Sequence, residues 1–327
     1  MNDLRKIGIT ALAGTLAAVS AAQAGSMAVT GTAEITYVQK DSTEATGNPI
    51  GMGKDITFNG SGELDNGWTV GTTLGTSDTF ALTSASVTIG MGSLGTIYVD
   101  SGVGADMGSA LDNVVPIAFE EADAGFSTGL VKSGGAITPY GSIIYKLPEF
   151  AGAKIAVAYN PRGGSGAAAD GATSEGSGGS QHEIGVDWSP EMVPGLRVGG
   201  AWGTYDRGGD GGGKDLDEET YFATYAYGPL SIGYQVADED NGTTNYDTDI
   251  YGVSFNVNDA LSVSYQYGET SGYAGGITAE FEGFSAAYNI GPMAIKFTDN
   301  SARNQAGITS GVSQNDSNRE LNLSMSF

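Results

Sequence analysis

The sequence contains a run of carboxylates that no basic residue interrupts. Six acidic residues lie between positions 100 and 123, and the first positive charge after them is Lys132. Carboxylates around a narrow passage lower the energy of a passing cation and raise that of an anion. The run therefore predicts a cation-attracting constriction; the alternative is a hydrated acidic loop outside the protein. Its members are Asp100, Asp106, Asp112, Glu120, Glu121 and Asp123.

A second acidic stretch lies among glycines between positions 206 and 219. Hard carboxylate oxygens on a flexible backbone suit Ca²⁺. The spacing does not fit an EF-hand loop, and a hydrated external loop is again the alternative. The candidate calcium ligands are Asp206, Asp210, Asp215 and Asp217.

The overall composition excludes several classes of function. The 327 residues include 38 acidic and 14 basic side chains, which give a formal net charge of −24. Binding to nucleic acid needs a surplus of lysine and arginine, so this chain is not predicted to bind it. Because the sequence has no cysteine, it cannot form a disulfide, a cysteine-ligated zinc site or a thiol nucleophile. The single histidine, His182, falls on the apolar face of its segment, where a Ser-His-acid hydrolase could not use it. We predict no enzyme, and no cofactor apart from calcium.

The N-terminus has the three regions of a secretory signal peptide in order. Arg5 and Lys6 precede an apolar run over 7–19, and the small residues Ala22 and Ala24 follow. The apolar run is too short to cross about 30 Å of hydrocarbon. We expect residues 1–24 to be removed, which leaves 25–327 as the exported domain.

The elements that must position these charges are strands. After Gly25 the apolar residues recur with period two, as in Val29–Tyr37, where the alternate positions are threonine and glutamate. About sixteen such segments follow one another. In the segment 277–289, Phe281 and Phe284 have opposite parity, which predicts a bulge between them.

The connections between these segments alternate in length. Short turns such as 65–67 and 291–292 alternate with longer loops, among them 101–136, 237–247 and 269–276. Long and short connections at opposite ends are typical of an outer-membrane barrel. Sixteen strands enclose a lumen too wide for side chains to fill, so the apolar face must point outward to lipid. The predicted fold is all-β: a transmembrane antiparallel β-barrel of about sixteen strands.

The exported chain resembles a general porin of Gram-negative bacteria, of the sixteen-stranded trimeric alphaproteobacterial type. The resemblance rests on the opening Thr30-Gly-Thr-Ala-Glu34 strand, the Gly92-Ser-Leu-Gly95-Thr turn before a long connection, and the terminal Phe327. It implies a homotrimer in the outer membrane and a third loop (101–136) that folds inward and narrows the channel. It also implies that the barrel-assembly machinery recognises the last strand through Phe327.

Charged residues on the polar faces of the segments are expected to line the pore. In the resembled family, bases often line the wall opposite the third loop, whereas here the first three strands offer only acids. This departure strengthens the expectation of a cation-selective pore. The predicted lining residues are Glu34, Asp55 and Glu63, with the bases Lys146, Lys154, Arg197 and Lys296 on later strands.

The predicted function is therefore passive diffusion of small hydrophilic solutes and cations through an outer-membrane pore. Two alternatives stay open at the level of sequence. One is a substrate-specific porin with a binding site for a cationic or polar solute. The other is an exported, acidic, β-rich calcium-binding adhesin.

Overall fold

The chain forms one closed antiparallel barrel of sixteen strands in the computed structural model. The structure describes residues 25–41, 47–77, 79–131, 140–161, 179–207, 213–308 and 314–327, so the predicted signal peptide 1–24 lies outside the described residues. The strands are β1 Ser26–Asp41, β2 Ile50–Glu63, β3 Thr69–Thr76, β4 Leu82–Gly90, β5 Thr96–Ser101, β6 Tyr140–Lys146, β7 Ala153–Asn160, β8 Gln181–Trp188, β9 Leu196–Tyr205, β10 Leu216–Tyr227, β11 Leu230–Asp240, β12 Asn245–Asn256, β13 Leu261–Tyr273, β14 Ile277–Ile290, β15 Met293–Arg303 and β16 Asn315–Ser326.

Each strand pairs with its neighbours in sequence, and β1 pairs with β16 to close the barrel. The closing ladder runs from Thr32 opposite Ser326 to Asp41 opposite Ser317. Below it, the backbones of Gly31 and Phe327 exchange two hydrogen bonds of 2.9 and 3.0 Å. Closure leaves no free sheet edge, which is the condition for β-structure in hydrocarbon. Among the described residues, no helix has the length and apolar character needed to cross a membrane.

The two faces of the wall have opposite chemistry, as the period-two pattern predicts. Large apolar side chains on the outward register are exposed, including Val29, Ile35, Val87, Ile232 and Leu321. On β1 and β16 the inward register holds Glu34 and Thr36 opposite Ser324 and Asn322. The apolar face therefore points away from the lumen, toward the position of lipid.

The inward face departs from this rule on one side of the barrel. Ile144, Phe222, Ile250 and Phe281 point inward and are buried. Phe281 explains why the bulge predicted beside it is wrong: β14 pairs with β15 without a register shift, and the one irregularity with β13 lies between Thr270 and Tyr273. Phe281 instead packs against Phe126 of the third loop, with ring centroids 5.9 Å apart.

Several connections are shorter than predicted because the strands continue beyond the apolar band. The links after β11 and β13 are only 241–244 and 274–276, since β11 reaches Asp240 and β13 reaches Tyr273. Outward-facing acids end the apolar alternation in these strands, but the hydrogen-bond ladder does not stop there. The long link between β5 and β6 spans 102–139 and is called loop 3 below.

Candidate functional site

The described part of loop 3, residues 102–131, lies inside the barrel and is hydrogen-bonded to the lumen-facing wall. Gln235 of β11, which is fully buried, accepts from the Val114 amide at 3.0 Å. Its Nε2 donates to the carbonyls of Leu111 at 2.7 Å and Asp112 at 3.1 Å. One side chain thus satisfies three backbone groups of the loop, which an irregular buried segment cannot satisfy by itself.

The wall repeats this arrangement along the rest of the loop. Gln266 accepts from the Ala122 amide at 2.5 Å. Asn300 of β15 donates to the carbonyls of Glu121 and Ala124 at 2.8 and 3.1 Å. The backbone amides of Ala118, Phe119 and Val131 likewise donate to the side-chain hydroxyls of Ser264, Ser285 and Thr270. The loop is therefore held across β11 to β15.

Small lumen-facing residues make room for the apolar side chains of the loop. At Gly185 a Cβ would lie 2.2 Å from Met107 Cγ, and at Gly252 a Cβ would lie 2.8 Å from Val115 Cβ. Real side chains cannot approach so closely, so only glycine at these two positions leaves room for loop 3. Met107 and Leu111 pack with Ile144 and Phe222, whereas Val115 and Leu130 pack with Ile250 and Phe281. These two clusters explain the inward apolar residues of the wall.

Three of the six acids in the predicted constriction shape the loop. Asp100 is buried and accepts from the amides of Val103 and Ala105 at 2.8 and 2.7 Å. Asp106 caps the helix α1 (Met107–Ala110), where it accepts from Ser109 N at 2.7 Å. Asp123 accepts from the Leu130 amide at 2.9 Å. Their carboxylates therefore satisfy backbone donors and do not face open lumen.

The other three acids of the run, Asp112, Glu120 and Glu121, are half-buried. Burial raises the pKa of Glu120 to about 7, and the neighbouring carboxylates of Glu320 and Glu34 act in the same direction. Lys296 opposes this shift, and Glu121 adds to it. A carboxyl with such a pKa changes its charge near neutral pH.

The remaining lining acids lie on β1 and β2, outside the wall from β11 to β15 that binds most of the described part of loop 3. Glu34, Asp55 and Glu63 belong to the inward register of β1 and β2, and Asp55 and Glu63 are exposed. Glu34 Oε1 lies 3.9 Å from the Lys296 ammonium. This side of the lumen is thus predominantly acidic.

The other predicted bases lie together near the short-turn ends of β6, β7 and β9. Arg197 forms two bonds with Asp187, of 2.9 and 3.2 Å, and stacks over Phe222 at 4.8 Å. The Lys146 ammonium lies 4.9 Å from the centre of the Tyr98 ring. Lys154 faces Asp187 across the β7–β8 pair. They occupy the side of the barrel on which α1 is seated.

Sequence reasoning missed several residues that hold loop 3. Lys40 is inward because β1 continues to Asp41, and its ammonium donates to the Gly125 carbonyl at 2.5 Å. Glu183 of β8 accepts from the Gly108 amide at 2.7 Å. Their positions in the alternating patterns of β1 and β8 could have shown that both side chains face the lumen. Nothing in the local sequence identifies their partners, which are more than 70 positions away.

The predicted calcium site gains no support. Asp210 lies outside the described residues, and Asp206 and Asp215 lie in the connection before β10. Asp215 Oδ1 accepts from the Arg207 amide at 3.3 Å, and Asp217 accepts from the Thr204 hydroxyl at 2.7 Å. Within the described part of the chain, no three histidine or acidic side chains are arranged to hold a metal ion.

A closed sixteen-stranded barrel with a polar lumen and an inward loop defines a transmembrane diffusion channel. A comparison with family models matches residues 8–306 to the Gram-negative porin family, and the chain belongs to that family. It is therefore an outer-membrane channel for small solutes and not an enzyme. Porins need no cofactor for this passive role.

Solved porin structures share this fold at low sequence identity. The anion-selective porin from Comamonas acidovorans is 16% identical, covers 93% of this chain and 100% of its own, and gives a TM-score of 0.67. Salmonella typhi OmpF in complex with daunomycin is 14% identical, covers 93% of this chain and 98% of its own, and gives 0.68. A mutant of the Rh. blastica porin is 16% identical, covers 92% and 100%, and gives 0.61. A search of curated protein sequences finds no match.

Proposed function

We propose that this porin conducts small hydrophilic solutes with a preference for cations. The observation that carries the proposal is the distribution of charge around the part of the lumen that loop 3 leaves open. That part is bordered by Glu34 and Asp55 on the wall and by Glu120 on the loop. Lys296 is paired there with Glu34, the Lys40 ammonium of β1 donates to the Gly125 carbonyl, and the other bases predicted to line the pore lie on the side where α1 is seated. A passing cation therefore meets a surplus of carboxylates.

The fold alone does not decide the sign of the selectivity. The Comamonas acidovorans porin has the same barrel and is described as anion-selective. The preference must therefore come from the side chains around the aperture, and the two chains are only 16% identical overall. This is why the proposal rests on named carboxylates and not on the family.

Reversal potentials in planar bilayers under a KCl gradient test this function. We expect cation preference in the unaltered protein and a clear loss of it when Asp112→Asn, Glu120→Gln and Glu121→Gln are combined. The matched control is Glu191→Gln, in the short turn between β8 and β9, far from the aperture. Anion preference, or an unchanged potential in the triple variant, would contradict the assignment.

We also propose that the protein is a homotrimer whose subunits meet on the outward face around β2 to β5. Lys54 faces outward on β2, opposite Ala33 and between Met52 and Ile56. A lysine facing hydrocarbon near the middle of a membrane costs about 2–4 kcal/mol. Contact with another subunit removes that exposure to lipid. The number three rests on the family resemblance.

Export and assembly complete the proposal. Removal of residues 1–24 would leave Gly25 directly before β1. Phe327 lies at the closing seam, where its backbone pairs with Gly31. A terminal aromatic at the last strand is the feature that we propose the assembly machinery recognises.

A further inference from the structure

The β1–β16 pair is the place where the two ends of the barrel wall meet. Every other pair of neighbouring strands is consecutive in the sequence, whereas Asp41 of β1 and Ser317 of β16 are 276 positions apart. The entropic cost of bringing two segments together rises with the length of chain between them. Contacts that span this closing seam, the ladder from Thr32 to Asp41, therefore help to keep the barrel closed.

A turn of loop 3 crosses the inner side of the closing seam, and its carbonyl groups accept hydrogen bonds from three adjacent strands. The Lys40 ammonium of β1 donates to the Gly125 carbonyl at 2.5 Å. Asn318 Nδ2 of β16 donates to the Ala124 carbonyl at 3.4 Å, and Asn300 of β15 donates to the same carbonyl at 3.1 Å. The turn is thus bonded on both sides of the line along which the barrel closes.

The three donors lie in one row across the wall. Lys40 is directly opposite Asn318 in the β1–β16 ladder, and Asn318 is directly opposite Asn300 in the β15–β16 ladder. Asn318 and Asn300 are buried. Because the row exists only when β1 and β16 are paired in this register, the complete set of donors forms only when the barrel closes.

Gly125 fits this place for two reasons. Its φ of +87° lies in the left-handed region that favours glycine. A Cβ at this position would lie 2.2 Å from Asn318 Nδ2. The close approach of the turn to β16 therefore requires a residue without a side chain. An alanine at this position should push the turn away from the seam without changing any charge.

The bond from Lys40 is the one that joins the turn to the first strand. An ammonium that donates to a carbonyl forms a charge-assisted hydrogen bond, which is stronger than a bond between neutral groups. Asn300 and Asn318 join the same turn to the last two strands. Without the Lys40 bond, the carbonyls of Ala124 and Gly125 would bind only one side of the seam.

We propose that the turn 121–125 of loop 3 is a clasp across the closing seam, and that Lys40 is the positioning residue that couples the seam to the loop. The turn holds β1 and β16 together from inside the lumen, and the closed seam in turn fixes where the loop lies. Release of the turn and opening of the seam near Asp41 and Ser317 are then one event. This coupling does not depend on which ions the pore prefers.

The test is hydrogen–deuterium exchange of the folded porin in detergent micelles, measured by mass spectrometry for the turn and for β1 and β16 separately. We expect Lys40→Met and Gly125→Ala each to speed exchange in the turn and in the seam near Asp41 together. The expected factor is about tenfold, which corresponds to about 1.4 kcal/mol. Lys40→Arg, which keeps a charged donor, should retain most of the protection.

Lys214→Met is the matched control, because the Lys214 ammonium also donates to a glycine carbonyl, that of Gly242. This bond joins the connection before β10 to the turn after β11, far from the closing seam in the strand order. The variant removes the same kind of bond and the same charge as Lys40→Met. It should leave exchange in β1 and β16 unchanged.

Three results would overturn the clasp. One is unchanged exchange in β1 and β16 in both Lys40→Met and Gly125→Ala, whether or not the turn is released. Another is a control, Lys214→Met, that speeds exchange at the seam as much as Lys40→Met does. The third is a Lys40→Arg variant that exchanges as fast as Lys40→Met. Heat-dependent migration of each variant in gels shows that the barrel has folded.

Discussion

Glu120 is the loop 3 residue whose pKa is raised to near neutral pH. Its pKa is raised from the ordinary value of 4.5 to about 7, first by burial and then by Glu320 and Glu34. Below pH 7 the carboxyl is protonated and neutral, and above it the loop gains one negative charge. In water, a unit charge about 6 Å from a passing ion changes its energy by about 0.7 kcal/mol.

The pH dependence of selectivity follows from this sign. Raising the pH from 5.5 to 8.5 should increase the cation preference with a midpoint near 7, by about threefold in the local cation concentration. Glu120→Gln should hold the preference at its low-pH value throughout. Reversal potentials at a series of pH values provide the measurement, and Glu63→Gln is the control that should retain the midpoint. A midpoint near 4.5 would show that Glu120 is not desolvated.

The acidic run illustrates what a sequence can and cannot show about single residues. Its composition correctly draws attention to loop 3, but three of its six carboxylates hold the loop together. Asp106 could have been recognised, because aspartate is one of the residues preferred at a helix N-cap. Asp100 and Asp123 could not, because the amides that they bind belong to irregular backbone with no sequence pattern.

Loop 3 and the wall residues that hold it form the element that places backbone and apolar side chains inside the lumen. The period-two pattern predicted the strands well, since it depends only on which face is apolar. It could not predict why Ile250 and Phe281 point inward, because their partners Val115, Leu130 and Phe126 lie more than 100 positions away. At such positions the period-two pattern is interrupted, and the interruption marks where loop 3 packs against the wall.

Gln235 is the residue whose loss should release the loop most directly. Gln235→Leu would leave the Val114 amide and the carbonyls of Leu111 and Asp112 without their partner, at about 1–3 kcal/mol for each buried group. We expect a larger and noisier single-channel conductance and faster entry of bulky sugars in liposome swelling. Gln39→Leu, on the exposed outward face of β1, is the matched control. A quiet channel of unaltered conductance in Gln235→Leu would mean that the glycine seat alone holds the loop.

At the scale of the whole molecule, the outward face has two sectors. Along β9 to β14, aromatic side chains end in polar partners: Trp202 donates to the Tyr221 hydroxyl at 2.8 Å, and Tyr265 donates to Glu282 at 2.8 Å. Such rings suit the boundary between lipid and water. In the described parts of β3, β4 and β5, the outward register holds residues such as Leu74, Val87 and Val99 and no aromatic side chain.

This asymmetry predicts which face is covered by another subunit. A sector without interfacial aromatic residues, flanked by the outward-facing Lys54, is better suited to contact with protein than with lipid. Homo-oligomers form closed rings by repeating one such contact between subunits. Because the sequence has no cysteine, single cysteines report on proximity without background. Leu74→Cys or Val87→Cys should give subunits cross-linked by a long, flexible bismaleimide in unheated gels, whereas Tyr251→Cys, on the aromatic sector, should not. If Tyr251→Cys alone is cross-linked, the interface lies on the aromatic sector. If none of the three single variants is cross-linked and each migrates as a monomer, the homotrimer is contradicted.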